Sequence, residues 1–254
     1  MKDNLKRERN EALPEGGGAP SAQPRISAAD WDAINAAVDA HGFAVMTGVL
    51  DAQACDATAR LYPEDKRFRS HIHMARHGFG RGEYKYFAYP LPEAIAALRT
   101  ALYPPLASIA NRWNDALGEP SRFPLRHSDF RKRCHDAGQT RPTPLLLKYE
   151  AGDYNCLHQD LYGEHVFPLQ VTILLSEPGE DFTGGEFVLT EQRPRMQSRA
   201  SVIPLRRGDA VVFAVRYRPV RGAKGSYRVN LRHGVSAVSS GNRYTLGIIF
   251  HDAK

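Results

Sequence analysis

The chain has 254 residues, 42% hydrophobic and 24% charged, which is enough apolar material for a sizeable core and excludes a fibrous or wholly disordered protein. It has no run of about 18 apolar residues, which argues against a membrane span, and the charged start MKDNLKRERN has no apolar stretch behind it, so no secretory signal is expected. Three scattered cysteines, Cys55, Cys134 and Cys156, form no Cys-x-x-Cys pair, which argues against a disulfide framework or thiolate zinc site and fits a reducing cytoplasm. The formal charge of +6 is unevenly spread. Residues 191–232 hold eleven Arg and Lys against Glu191 and Asp209, and residues 121–141 hold six against Asp129 and Asp136, so a basic face for a polyanion is expected.

In chain order, residues 1–25 mix charge with Gly16-Gly17-Gly18 and three prolines and predict a flexible tail. Residues 26–254 then form a single domain, with a helical and mixed part at 26–143 and a β-rich core at 144–254. Ser27-Ala-Ala-Asp30 resembles a capping box for a helix running through Trp31, Ile34 and Val38 to Gly42. Gly42–Leu50 reads as a strand, Asp51 caps a short helix, and Pro92 opens a longer helical region expected to break at Pro104-Pro105. After Pro144, short β-rich runs separated by Gly, Pro and Asp predict strands near 145–150, 154–159, 167–176, 185–190, 201–204, 210–215, 232–238 and 244–251. Eight such strands make a jelly roll, and the helices in front are expected to buttress one sheet.

Within this core His158 stands two residues before Asp160, a spacing that aims both side chains to one side of an extended chain. The same spacing occurs at His127 and Asp129, so spacing alone does not identify a metal pair. His233 opens a later predicted strand. Two histidines and a carboxylate on adjacent strands make a facial triad that leaves iron positions open. Arg243 begins an otherwise apolar strand, where a guanidinium is expensive to bury unless it meets an anion, and Thr245 faces the same way.

These motifs, in this order, resemble the iron(II)- and 2-oxoglutarate-dependent dioxygenases with a prolyl-hydroxylase-like, cupin-like double-stranded β-helix. The resemblance covers residues 144–252. It rests on Leu147-Lys-Tyr149-Glu-Ala-Gly152, His158-Gln-Asp160, the glycine hairpin Phe182-Thr-Gly184-Gly185-Glu186-Phe187, Pro204–Phe213, His233 and Arg243-Tyr244. It implies iron held by His158, Asp160 and His233, and 2-oxoglutarate held at its distal carboxylate by Arg243, Thr245 and Tyr149. It also implies O2-dependent hydroxylation of a C–H bond with succinate as co-product. His127-Ser-Asp129 lacks that order behind it, and the remaining histidines are expected at the surface or in hydrogen bonds, with His165 near the pocket.

Substrate choice lies outside the motif. The segment Arg216–Arg228, with Arg216, Arg218, Arg221 and Tyr227, runs into His233 and would line the mouth of the site. Arg81, Tyr84 and Tyr86 in the aromatic segment 77–89 would hold a base, unless that segment is an ordinary strand on the barrel. From about residue 28 the chain is similar to a bacterial oxygenase family assigned to oxidative demethylation of damaged DNA, although Arg243 follows His233 at the shorter, prolyl-hydroxylase-like interval. Three readings stand: a nucleic-acid oxygenase, a protein or small-molecule hydroxylase, and a β-sandwich binding module whose His and Asp residues are structural. Oligomeric state is left open.

Overall fold

The computed structural model describes residues 23–254, so the expected tail falls outside the described residues except at its end. There α1 (Gln23–Ser27) is already helical because Ile26 is buried in the core. Helix α2 (Trp31–His41) is capped not from Ser27 but by Asp30, whose carboxylate accepts the Ala33 amide at 3.0 Å. Strand β1 (Phe43–Met46) and helix α3 (Ala52–Ala59), with Asp51 as its cap, follow as expected. Helix α4 (Glu93–Leu117) runs unbroken through Pro104 and Pro105. Each interior proline disfavours a helix by roughly 3 kcal/mol. The stripe Ile95, Leu98, Leu102, Tyr103, Leu106, Ile109 and Trp113 is buried at helical spacing on both sides of the prolines, and burial of each such side chain gives about 1.5–3 kcal/mol. Packing therefore outweighs local propensity, and α5 (His127–Asp136) completes the helices.

All eight expected strands of the core form: β5 (Leu145–Tyr149), β6 (Tyr154–His158), β7 (Leu169–Leu174), β9 (Phe187–Gln192), β10 (Arg199–Ile203), β11 (Ala210–Ala214), β13 (Gly225–Val235) and β15 (Arg243–Ile248). The sequence did not signal β2 (Phe68–His73), β3 (Gly80–Arg81), β12 (Tyr217–Gly222) or β14 (Val238–Gly241), while β4 (Glu83–Phe87) is the strand offered as one reading of segment 77–89 and β8 (Phe182–Gly184) lies in the expected glycine hairpin. The strands form a seven-stranded sheet, β1-β11-β7-β15-β5-β4-β2, and a smaller one, β10-β9-β13-β6-β3, with β12 added beside β13. Strands β8 and β14 pair separately, so the expected glycine hairpin Phe182–Phe187 is instead a turn from β8 into β9, which do not pair with each other. This is a double-stranded β-helix, antiparallel throughout its named pairings. The front of the chain does more than buttress it, since β1, β2 and β4 extend the large sheet and β3 the small one.

One core cluster joins α2 and α4 to the large sheet through Val38, Leu102, Tyr103, Val171, Val212 and Phe250. Arg99 of α4 crosses into it as an ion pair with Asp252 at 2.7 Å, both fully buried, and also donates to the carbonyls of Ile249 and Phe250. Among the described residues no helix is long and apolar enough to cross a membrane.

Candidate active site

The three expected metal ligands converge because of strand register. His233 of β13 lies directly opposite His158 of β6, and their rings stand 4.2 Å apart. Asp160 follows two residues after His158 and reaches both: Oδ1 lies 3.6 Å from His158 Nε2, and Oδ2 lies 3.4 Å from His233 Nε2. His158 Nδ1 faces the Cys156 carbonyl at 2.8 Å, and because a carbonyl only accepts, the ring proton sits on Nδ1 and leaves the Nε2 lone pair free for a ligand. The Tyr162 hydroxyl donates to Asp160 Oδ1 at 2.8 Å and is itself met by the Tyr86 hydroxyl at 3.2 Å.

Electrostatics keep this cluster in its metal-ready form. Burial acts to raise the Asp160 carboxyl, but the hydrogen bond and charge of His233, the charge of His158 and the Tyr162 hydroxyl outweigh it and hold the group far below the usual carboxylate range. Burial, with His158 beside it, pushes His233 down, so its imidazole is neutral and basic enough to coordinate. Tyr162 is pushed far up by burial and by Asp160, which keeps it a donor.

The same cavity, about 380 Å³, contains the three residues expected to bind the anion, Arg243, Thr245 and Tyr149. Arg243 of β15 pairs in register with Tyr149 of β5, and its Nη1 donates to Thr245 Oγ1 at 2.5 Å. The guanidinium is 1% exposed, makes no ion pair with any described carboxylate, and has no partner for Nε. Burial pushes it down to about 10, with Tyr149 and Glu186 only partly opposing. Tyr149 is fully buried, and its hydroxyl accepts from Asn155 Nδ2 at 3.3 Å. Gly185 explains why the turn is glycine-rich: at φ +64° a Cβ there would stand 2.9 Å from Arg243 Cδ, so any side chain would displace the arginine.

The expected substrate residues divide. Tyr84 and Tyr86 do line the cavity, although their segment is the ordinary strand β4 paired with β5, opposite Leu147 and Leu145. Arg81 is exposed on β3 beside Asp153 at 3.9 Å and does not line the cavity. The segment Arg216–Arg228 is not a mouth loop but the hairpin β12–β13. A strand rises about 3.3 Å per residue, which puts Tyr227, six residues before His233, roughly 20 Å away, and Arg221 opposite Ser226 is farther still. Arg218 is buried, donating to Glu191 at 2.7 Å and to the Asp39 carbonyl at 2.9 Å, so it serves the fold. Arg216 alone of this group stays near: its carbonyl accepts from the Leu231 amide and the Gln159 side chain, beside His158 and Asp160, while its side chain is exposed. The basic segment is also less free than its composition suggests, because Arg193, Arg207 and Arg228 pair with Glu191, Asp56 and Glu119.

His165 does not line this cavity, and the His127–Asp129 spacing falls on helix α5, where residues two apart point away from each other. His127 is buried against the Phe250 carbonyl at 2.9 Å, and Asp129 faces Arg126. Sequence reasoning missed Tyr162, Gln170 and Thr172. Gln170 and Thr172 are polar residues two apart in the otherwise apolar, fully buried strand β7, and that pattern was the available signal. Gln170 Oε1 has no partner.

This donor set, two imidazoles and one carboxylate with an unpaired guanidinium in the same cavity, fits the iron(II), 2-oxoglutarate and O2 of one enzyme class. Solved structures show the same fold. A Trichoplax adhaerens prolyl hydroxylase bound to a hypoxia inducible factor peptide fragment is 14% identical, with TM-score 0.54 over 89% of each chain. The non-heme alpha ketoglutarate dependent epimerase SnoN is 17% identical, with TM-score 0.54 over 85% of this chain and 80% of that one. The protein is thus an oxygenase, an oxidoreductase on the double-stranded β-helix of the 2-oxoglutarate–Fe(II) oxygenases. Residues 82–253 match the family described as "Oxygenase, catalysing oxidative methylation of damaged DNA", and the chain belongs to that family. Two uncharacterized Mycobacterium tuberculosis proteins, from strains CDC 1551 and H37Rv, are each 53% identical over 167 residues, 66% of this chain and 72% of theirs.

Proposed function

We propose that residues 26–254 form one dioxygenase domain in which His158, Asp160 and His233 hold iron(II), and Arg243, Thr245 and Tyr149 hold the distal carboxylate of 2-oxoglutarate. The reaction proposed is oxidation of N-alkyl groups on damaged nucleic acid. The observation that carries the cofactor reading is the Arg243 guanidinium, buried and without a carboxylate in the cavity that holds the triad. A dicarboxylate spanning from triad to arginine would supply the missing anion. When bound, iron and 2-oxoglutarate supply an oxidant from O2, with succinate and CO2 as co-products. The protein's own groups orient and exclude water: Tyr162 fixes the Asp160 carboxylate, and Leu145, Leu147 and Phe187 keep the cavity apolar.

The substrate reading rests on the family description together with the wall of the cavity. Tyr84 and Tyr86, their rings edge-on at 5.4 Å, offer faces against which an unstacked base can lie, and Arg81 and Arg216 are exposed cations nearby for a phosphate backbone. Hydroxylation of an N-methyl group gives N–CH2OH, which releases formaldehyde and leaves the repaired N–H.

The test is succinate and formaldehyde release by iron-loaded protein with 2-oxoglutarate and O2, comparing methylated single-stranded DNA, unmodified DNA and no substrate, with His158→Ala as control. Stimulation by methylated DNA with stoichiometric formaldehyde is the expected result. Turnover that needs His158 but ignores DNA would overturn the substrate and favour a protein or small-molecule hydroxylase. No turnover under any condition would overturn the metal assignment.

A further inference from the structure

Strand β2 is the edge of the large sheet, and its residues His71 and His73 point to the same side. His73 pairs in register with Glu83 of β4, and His71 stands diagonally two pairs further along, opposite Lys85. The three side chains meet: Glu83 Oε2 lies 2.8 Å from His71 Nε2 and 3.5 Å from His73 Nδ1, and the two rings are 4.4 Å apart. One ligand atom from each falls within 4.8 Å of the other two. Because side chains alternate along β4, Glu83 and Lys85 face away from the cavity that Tyr84 and Tyr86 line. This cluster is therefore separate from the triad, on the opposite face of the sheet.

The surrounding charges leave Glu83 to the histidines. Lys85 donates to Asp65 at 2.7 Å, and Lys148 donates to Glu150 at 2.6 Å while approaching only the other oxygen of Glu83, at 3.9 Å. Two imidazoles of ordinary exposure sharing one carboxylate oxygen, with a side open to water, make a three-ligand N2O set suited to zinc.

We propose that His71, His73 and Glu83 form a second, peripheral metal site that takes Zn(II), with water completing the tetrahedron. The ion replaces the His71–Glu83 hydrogen bond and cross-links edge strand β2 to β4, directly behind the tyrosine wall of the cavity. The site does not depend on the role assigned to the triad.

Metal-stripped full-length protein is titrated with Zn(II) in competition with a chromophoric chelator, alongside H71Q/H73Q, E83Q, H158A/D160A and the combination of H71Q/H73Q with H158A/D160A. Circular dichroism checks that each variant is folded. The wild type is expected to bind two equivalents, H71Q/H73Q and H158A/D160A one each, and the combined variant none. E83Q keeps both imidazoles and the side-chain shape. Its peripheral affinity should fall beyond the roughly 10–100-fold that loss of an outer-sphere partner costs. Zn(II) should raise the melting temperature of H158A/D160A and not that of the combined variant. A wild type that binds a single equivalent unaffected by H71Q/H73Q or E83Q would overturn the proposal and reduce the cluster to a surface hydrogen bond between His71 and Glu83.

Discussion

Replacing Arg243 by methionine should separate stability from function. The guanidinium is depressed from its ordinary 12.5 to about 10, chiefly by burial, which corresponds to about 3 kcal/mol of strain on the charged form. Against this stand a hydrogen bond to Thr245 at 2.5 Å and the approach of the guanidinium to the rings of Tyr149 and Phe182 at 5.5 and 5.8 Å. Together these are worth about 1–3 kcal/mol. Methionine keeps most of the volume and packs on the same rings, so Arg243→Met should change the unfolding free energy without ligand by no more than about 1 kcal/mol, although the residue is among the largest fully buried ones. Urea denaturation measures this. In the same protein 2-oxoglutarate should lose its effect: at 100 times its dissociation constant it stabilises the wild type by about 2.7 kcal/mol, and the variant by nothing measurable. A loss of more than about 3 kcal/mol in the ligand-free variant would show that Arg243 is a structural residue. An undiminished 2-oxoglutarate shift would show that the anion binds elsewhere.

Tyr162→Phe removes the donor to Asp160 Oδ1 but leaves the ligand in place, so iron affinity should fall about 10–100-fold with the fold retained; unchanged iron affinity by competition titration would refute the positioning role. Arg218→Ala should destabilise by about 3 kcal/mol, the low end for a broken buried pair because Arg193 still holds Glu191 at 2.8 Å, while Arg216→Ala should leave stability unchanged, weaken single-stranded DNA and flatten its salt dependence. Equal effects of the two on DNA affinity of the folded protein would refute the distinction. His127 and His251 are both pushed down to about 4 by burial, with Arg99 adding to it, against 6.5 when unfolded. Between those values the unfolded chain binds protons that the folded chain does not, so stability is complete above about pH 6.5. It falls as the pH drops toward 4, by up to about 3 kcal/mol for each histidine. Denaturation free energies at about pH 7 and pH 5 test this, and His127→Gln should reduce the slope; a flat profile would contradict it.

The convergence of His158, Asp160 and His233 and the buried Arg243 beside them were legible because strand geometry is simple: a period of two aligns His158 with Asp160, and an arginine opening an apolar strand is costly to bury without an anion. The same local rule failed at His127 and Asp129 because the spacing cannot say whether the chain there is extended or helical, and α5 is a helix. Closeness in sequence also misled at Arg218, Arg221 and Tyr227. A loop would have kept them beside His233, but a strand carries each residue about 3.3 Å further from it, and the hairpin takes Arg218 to Asp39 and Glu191 and Arg228 to Glu119. The edge strand β2 was hidden because polar, charged and apolar residues mix there without a dominant apolar face, and the alternation of charged and aromatic residues in its neighbour β4 left an ordinary strand as one of two readings.

Of the ten buried side-chain atoms without partners among the described residues, three belong to residues of the candidate site, and the others, such as the Tyr103 hydroxyl and Arg218 Nε, lie elsewhere in the fold. His233 Nδ1, Gln170 Oε1 and Arg243 Nε are all buried without partners, and all belong to residues lining one cavity. A buried polar group left unsatisfied costs about 1–3 kcal/mol, so a cavity with three of them is unfavourable for an unliganded fold. By contrast, the polar network at Arg99, Asp252, Tyr89 and His135 is densely paired, with Arg99 alone reaching five oxygens. The unpaired Arg243 Nε and Gln170 Oε1 thus face a cavity where a bound ligand can supply partners, whereas Arg99 finds its partners within the fold. Ligand binding should stiffen both sheets at once, because His158 and His233 stand on the small sheet and Arg243, Thr245 and Gln170 on the large one, so a molecule held between them joins the two halves of the β-helix.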